Sequence, residues 1–154
     1  MGSGAPLRIF VDGDACPVRE EAIRVARRHG LAVVIVSNGG LRRSADPMVR
    51  HVIVPKGADA ADDWIVAESA PGDIAVTADV PLAARLVAKG VHVLGPTGKA
   101  FTAETIGMAV ALRNFNQYLR EAGESRGLNA GFTKEDRSRF LGELDRLARR
   151  AAKA

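Results

Sequence analysis

The sequence predicts an α/β fold, with a mainly parallel sheet of about five strands that helices cover on both faces, followed by a C-terminal helical extension. The first observation behind this prediction is alternation. Short apolar runs rich in Val and Ile alternate with segments of helical apolar spacing as far as residue 95. The second observation is that only helical patterns follow this point. Strands joined through helices lie parallel, and helices then cover both faces of their sheet.

The first half of the chain predicts three strands and two helices. Strands are expected at residues 7–11, 31–36 and 51–54. The first helix has Pro17 in its first turn, where proline is tolerated, and ends at Gly30. A turn at residues 38–40 leads into a basic loop, and the second helix is expected at about residues 59–69.

The second half of the α/β region predicts two strands and one helix after a break at residues 71–72, which are Pro-Gly. Strands are expected at residues 73–77 and 91–94. The helix between them covers residues 81–89 and ends at Gly90. Residues 95–99 look like a phosphate-binding loop but lack its first glycine and its final Ser or Thr, so a turn is predicted there.

Two further helices are predicted beyond residue 100. One covers about residues 102–119, and the other begins at residue 134 after a capping-box pattern. Five apolar residues make the last helix amphipathic: Phe140, Leu141, Leu144, Leu147 and Ala148. We therefore expect an α/β domain at residues 7–120, and a linker and helix at residues 121–154 that pack on the same domain. The alternative is that this C-terminal helix joins two copies in a homodimer.

Length and composition exclude several classes of protein. A chain of 154 residues, 47% hydrophobic and 26% charged, allows one globular domain and is too apolar to be disordered. Aromatic residues make up only 5%, which argues against a fold that stacks single-stranded bases on exposed rings. The single cysteine, Cys16, excludes a disulfide framework. No apolar run approaches the ~20 residues that span a bilayer, and no signal peptide is recognisable, so we expect a cytoplasmic protein without membrane contact.

The net charge of +4 is unevenly distributed along the chain. Residues 1–112 hold 12 basic and 12 acidic side chains, whereas residues 113–154 hold 10 and 6. A basic segment is typical of proteins that bind polyanions. A nucleic acid is therefore the partner that we expect, with RNA ahead of DNA.

Carboxylates follow the predicted strands at the edge where open parallel sheets bind their ligands. Asp12 and Asp14 come directly after the first strand, and Asp79 follows the fourth. Three more aspartates open the helix after the third strand, at the same edge: Asp59, Asp62 and Asp63. At least four carboxylates are thus expected to converge there.

Carboxylates crowded in this way repel one another unless a cation lies among them. Mg²⁺ and Mn²⁺ prefer carboxylate oxygens, and two such ions can activate a water and stabilise the leaving oxygen of a phosphodiester. Four of these six aspartates also have a structural explanation. Asp59 and Asp79 could cap helices, and Asp62 and Asp63 suit the helix dipole. The combination predicts a metal site for phosphoryl transfer.

Three segments resemble the signatures of the uncharacterised bacterial YaiI/YqxD family, also called UPF0178. They are residues 11–17 (Val-Asp-Gly-Asp-Ala-Cys-Pro), 57–62 (Gly-Ala-Asp-Ala-Ala-Asp) and 76–83 (Val-Thr-Ala-Asp-Val-Pro-Leu-Ala). That family is placed among PIN-like domains, so the resemblance implies a three-layer α/β/α sandwich. Many PIN-like domains are nucleases that hold Mg²⁺ or Mn²⁺ with acidic residues at these strand ends.

The resemblance also implies which aspartates bind the metal: Asp12, Asp14, Asp59, Asp62 and Asp79. Asp63 stands where the family pattern is looser and ranks below Asp62. PIN-like nucleases often supply a glutamate from a helix, and an aspartate takes that position here. We therefore predict a metal-dependent nuclease of RNA or DNA, in which a metal-activated water attacks the phosphodiester. Its catalytic residues would be Asp12, Asp14, Asp62 and Asp79.

Polar side chains on loops at the same edge are candidate substrate contacts. Arg42, Arg43 and Lys56 could hold phosphates beside the scissile one, and Asn38 could contact the substrate as well. A solvated loop and an ordinary Asn-Gly-Gly turn account for the same residues without a function.

Two other functions stay open at this point. The Asp-Gly-Asp of residues 12–14 resembles the opening motif of haloacid-dehalogenase-type phosphatases, in which Asp12 would form a phospho-aspartate and Asp14 act as general acid. Ser37 and Lys56 would then bind phosphate. Against this, the first helix is expected to start directly after Asp14, and Asp79 has no second acid beside it. The other alternative is a non-catalytic nucleic-acid-binding or regulatory domain with the same fold.

Overall fold

A computed structural model of the protein describes residues 7–13, 17–39, 44–57, 59–122 and 132–153. Within these ranges the strands are β1 (Arg8–Asp12), β2 (Ala32–Ser37), β3 (Val49–Ile53), β4 (Ile74–Val76), β5 (His92–Leu94) and β6 (Ala100–Phe101). The helices are α1 (Arg19–His29), α2 (Ala60–Glu68), α3 (Val80–Lys89), α4 (Ile106–Glu121) and α5 (Lys134–Lys153). None of these helices has the length and apolar character needed to cross a membrane.

The strands form one sheet in the order β3-β2-β1-β4-β5-β6. Strands β1 to β5 pair in parallel, and β6 runs antiparallel to β5. From β1 the chain adds β2 and then β3 on one side of the sheet. It then returns to the other side of β1, where it adds β4, β5 and β6 in turn. The direction of winding therefore switches between β1 and β4. In open α/β sheets, ligands bind in the crevice beyond the carboxyl ends of the strands at such a point.

Helices cover both faces of the sheet, because successive side chains of a strand point to opposite faces. Ile9 and Val11 of β1 pack in one core with α1 and α5. Phe10, between them in sequence, packs in a second core with α2 and α3. The prediction of a three-layer α/β/α sandwich with a mainly parallel sheet is confirmed.

The C-terminal helix α5 packs along α1. Its residues Phe140, Leu144 and Ala148 are completely buried in the core on that face of the sheet. At the C-terminal end of α1, His29 Nε2 and Asp145 Oδ1 of α5 lie 2.8 Å apart. The apolar face of α5 is thus occupied within the chain. A homodimer through this helix stays a prediction and would have to use its outer surface.

Two helices begin later than the sequence predicts. Helix α1 begins at Arg19 rather than directly after Asp14, because Pro17 lies in a turn and the carbonyl of Val18 accepts the first helical hydrogen bond. Helix α4 begins at Ile106, because Thr102 and Thr105 bond to each other in a turn that precedes it.

The turn predicted at residues 95–99 joins β5 to β6, a two-residue strand too short for a sequence pattern to reveal. The Gly95 N–H donates to the carbonyl of Lys99 at 2.8 Å, and the Gly98 N–H donates to the carbonyl of Gly95 at 3.0 Å. Gly98 has a φ of +91°, in the left-handed region that favours glycine. The turn brings its backbone against α5.

Candidate functional site

Asp12 and Thr77 meet at the point where the winding of the sheet switches. Val11 pairs with Val76, so the residues that follow them lie side by side at the ends of β1 and β4. The Thr77 hydroxyl donates to Asp12 Oδ2 at 2.9 Å, and both residues are buried, with 1% and 5% exposure. The same hydroxyl oxygen accepts from the Asp79 N–H at 3.0 Å. Thr77 therefore positions two of the predicted aspartates at once.

Asp79 caps helix α3. Its Oδ1 accepts from the Leu82 N–H at 3.0 Å, which confirms the explanation that Asp79 serves as a helix cap. The cap occupies one carboxylate oxygen. The residues that the structure describes make no hydrogen bond to Oδ2, which leaves that oxygen for a ligand.

Asp59 takes the N-cap position of α2, but its side chain makes no capping hydrogen bond there. Asp62 lies one turn further into the helix, and its pKa is raised to about 6. Burial of the carboxyl is the largest cause, followed by the negative charges of Asp79, Asp12 and Asp59. Asp12, Asp59 and Asp79 therefore all lie close enough to Asp62 for their charges to act on it. Arg85 lowers the same pKa but does not offset the rise.

Asp62 and Asp63 separate on the surface of α2. Asp63 is exposed and forms an ion pair with Arg85, at 2.9 Å between Oδ1 and Nη1. Asp62 is partly buried and belongs with the other three carboxylates. The ranking of Asp63 below Asp62 as a site residue stays a prediction.

The remaining predicted site residues are Asp14, Arg42, Arg43, Asn38 and Lys56. Asp14, Arg42 and Arg43 lie outside the described residues. Asn38 is exposed directly after β2. Lys56 is exposed after the edge strand β3, which β2 separates from β1. The roles assigned to all five stay predictions.

The donor set of Asp12, Asp59, Asp62 and Asp79 has the chemistry that hard cations prefer. Among the described residues, however, no three potential ligands are arranged to hold one ion directly. Mg²⁺ usually keeps several waters and takes only one or two carboxylates from the protein. A cation at this cluster would therefore have to be held partly through water, and its charge would relieve the repulsion that raises the pKa of Asp62.

Sequence reasoning did not assign Thr77 or Arg85 to the site. Thr77 could have been found from its place at the end of β4, two residues before Asp79, since a hydroxyl there reaches the neighbouring strand end. Arg85 carries no such signal. It meets Asp63 only because α2 and α3 pack side by side on the sheet.

Comparison with known sequences identifies the family. The sequence model described as "Uncharacterized BCR, YaiI/YqxD family" matches residues 10–150. The chain belongs to the YaiI/YqxD family. It is 66% identical to UPF0178 protein mlr0875 of Mesorhizobium japonicum, over 95% of this chain and 94% of that relative. It is 58% identical to UPF0178 protein Atu1478 of Agrobacterium fabrum, over 95% of each chain. No solved structure matches the chain.

Proposed function

We propose that this YaiI/YqxD protein is a Mg²⁺- or Mn²⁺-dependent nuclease with a PIN-like fold, acting on RNA or DNA. The observation that supports it most is the surroundings of Asp62, whose pKa is raised by burial and by three other carboxylates. Such an arrangement costs stability unless a cation joins it. The cluster also lies where this class of sheet binds ligands.

The residues of the cluster would have different roles in catalysis. Asp12 and Asp79 would hold the metal from the ends of β1 and β4, with Asp59 and Asp62 facing them from α2 and Asp14 completing the set. When bound, the metal would activate the attacking water and stabilise the leaving oxygen of the phosphodiester. Thr77 would act as a positioning residue, because its hydroxyl bonds Asp12 and its oxygen accepts from the Asp79 backbone.

The test is cleavage of labelled single-stranded and structured RNA and DNA with Mg²⁺ or Mn²⁺. The wild type is compared with Asp12→Asn and Asp79→Asn, which remove one charge each and keep an oxygen for the Thr77 and Leu82 hydrogen bonds. Asp63→Asn is the matched control, since it removes a charge next to the site without touching the cluster. We expect the wild type and the control to cleave and the other two variants to lose at least about a hundredfold in rate.

Other outcomes would overturn the proposal. Equal cleavage by the wild type and by both site variants would point to a contaminating nuclease. Turnover of a small phosphate ester with a trappable acyl phosphate on Asp12 would replace the nuclease with a phosphatase. Salt-dependent binding of nucleic acid without turnover under any of these conditions would replace it with a non-catalytic binding protein.

A further inference from the structure

Helix α4 meets the second core through its first residue, Ile106, and borders a groove beside the candidate site. None of its residues, 106–121, is buried. Arg113, Asn116 and Arg120 recur at spacings of three and four residues and so lie on one side of the helix. Together with Val80 they line a groove of about 280 Å³. Val80 directly follows Asp79 in α3, so one wall of the groove begins at the carboxylate cluster.

The two arginines of this groove are the basic residues of α4. Arg113 and Arg120 form no ion pair or hydrogen bond with any described residue. The arginines of α5 are mostly paired within the chain. Their partners are Glu21 for Arg137, Asp136 for Arg139, Glu143 for Arg146 and Asp145 for Arg149. The charges of Arg113 and Arg120 are therefore available for a ligand at the α4 groove. Lys134 and Arg150 of α5 are also unpaired among the described residues, but they do not line the groove.

We propose that the α4 groove binds the phosphodiester backbone of the nucleic acid strand whose cleavage we propose above, and this inference rests on that function. Arg113 and Arg120 are two helical turns apart, about 10 Å along the axis. That distance corresponds to about three nucleotides of a stacked strand. Each guanidinium contacts one phosphate, and the Asn116 amide donates to a phosphate or sugar oxygen between them.

Charge favours a polyanion over other occupants of this groove. Val80 follows Asp79 in sequence, so a strand lying along the groove would pass close to the carboxylate cluster, where Asp12 and Asp79 would hold a cation that neutralises a further phosphate. Helix α4 also exposes Met108, Leu112, Phe115 and Tyr118. Of these four, Leu112 alone borders the groove among the residues described. Val80 and Ala109 add apolar surface to the groove, and its two charged residues, Arg113 and Arg120, are both cationic. The groove therefore offers positive charge for phosphates with apolar surface beside it.

The test is fluorescence anisotropy of a labelled single-stranded RNA, repeated with DNA, in EDTA so that metal-dependent cleavage does not occur. The variant Arg113→Gln/Arg120→Gln is compared with Arg24→Gln/Arg150→Gln. The control pair is exposed, lies on α1 and α5, and removes the same two charges. Circular dichroism verifies that both variants fold.

The groove variant should lose about tenfold in affinity. Its log K should also fall less steeply with log salt concentration, with a slope smaller in magnitude by about 1.4, the value for two phosphate contacts on a single strand. The control pair should stay within about twofold of the wild type. The single variant Asn116→Asp should also weaken binding relative to the wild type, because it places a negative charge between the two phosphates. Equal losses in both double variants, or none in either, would overturn the proposal. So would a groove variant that changes the oligomeric state on gel filtration and leaves RNA binding intact.

The two proposals fail separately in this design. If the wild type binds through Arg113 and Arg120 but cleaves nothing with Mg²⁺ or Mn²⁺, the nuclease proposal is wrong and the groove assignment is supported. If the wild type cleaves and the groove variant binds and cleaves as well as the control pair, the groove assignment is wrong. In the expected case the groove variant has a raised KM and a nearly unchanged kcat, because the phosphates it no longer holds are remote from the reacting one.

Discussion

Thr77 Oγ1 lies 2.9 Å from Asp12 Oδ2 and 3.0 Å from the backbone nitrogen of Asp79. One buried hydroxyl therefore donates to the carboxylate that ends β1 and accepts from the backbone of the residue that caps α3. The first of these bonds joins the ends of β1 and β4, between which the winding of the sheet switches. The placement of Asp12 relative to Asp79 therefore depends on this hydroxyl.

Replacing Thr77 tests that dependence. We expect Thr77→Val to lower the free energy of unfolding by about 1–3 kcal/mol, because the buried Asp12 carboxylate loses a donor and the Asp79 N–H loses its acceptor. Urea denaturation followed by circular dichroism measures the change. Thr77→Ser keeps the hydroxyl and should lose less than half as much. A valine variant as stable as the serine variant would show that the hydroxyl contributes nothing.

The raised pKa of Asp62 predicts a pH-dependent gain on removing its charge. Above a pH of about 6 the folded state carries an ionised Asp62 that is destabilised by burial and by its neighbours, whereas the unfolded state ionises it freely near 3.8. Asp62→Asn should therefore stabilise the metal-free protein at pH 7.5, by about 1 kcal/mol after allowance for solvent at this partly exposed side chain. The gain should disappear as the pH falls from 6 towards 4.

Asp145 provides a comparison of opposite sign. Its hydrogen bond to His29 is the largest of the interactions that lower the pKa of its carboxyl. A lowered pKa contributes stability above the unfolded value, and that stability is lost as the pH falls through the folded value. Asp145→Asn should thus be less stable than the wild type at neutral pH and converge with it in acid. If the free energies of unfolding of Asp62→Asn and Asp145→Asn, relative to the wild type, changed with pH in the same direction, the pKa shifts assigned to Asp62 and Asp145 would both be contradicted.

Divalent cations should stabilise the protein through the same cluster. We expect Mg²⁺ or Mn²⁺ to raise the Tm of the wild type, since a ligand at a hundred times its Kd adds about 2.7 kcal/mol to the folded state. Asp12→Asn and Asp79→Asn should reduce the shift, while Asp63→Asn, whose carboxylate in the wild type pairs with Arg85, should keep it. Differential scanning calorimetry gives the measurement. The same shift in all four proteins would locate the ion elsewhere.

Gly98 provides a test of how α5 docks on the domain. A Cβ at this residue would lie 2.6 Å from Arg139 Cγ and 2.9 Å from the Phe140 backbone nitrogen, and the φ of +91° is also unfavourable for other residues. Gly98→Ala should therefore cost more than about 1 kcal/mol in unfolding free energy. Gly142→Ala, on α5 with open space around the added carbon, should instead stabilise by about 0.5–1 kcal/mol. The opposite order in chemical denaturation would contradict the observed docking of α5.

Much of the fold and part of the candidate site can be predicted from the sequence. The alternation of apolar runs with helical patterns predicts the strands that carry Asp12 and Asp79, because periodicity is a local property. Glycine at positive φ ends α1 and α3 where the sequence places their ends, at Gly30 and Gly90. The sequence does not predict the start of α4, because the turn formed by Thr102 and Thr105 has no periodicity to detect. It does not predict β6 either, because a strand of two residues is too short to show a pattern.

What the sequence alone determined is which residues end the strands and open the helices, and hence that carboxylates gather at one edge of a parallel sheet. Only the tertiary structure decided that β4 lies beside β1, so that Thr77 reaches Asp12, and that Asp63 pairs with Arg85. It also placed Arg113 and Arg120, which form no ion pair with any described residue, along the groove at Val80. The physical reason is that strand order, helix rotation and ion pairing depend on contacts between residues far apart in the chain, which no local pattern encodes.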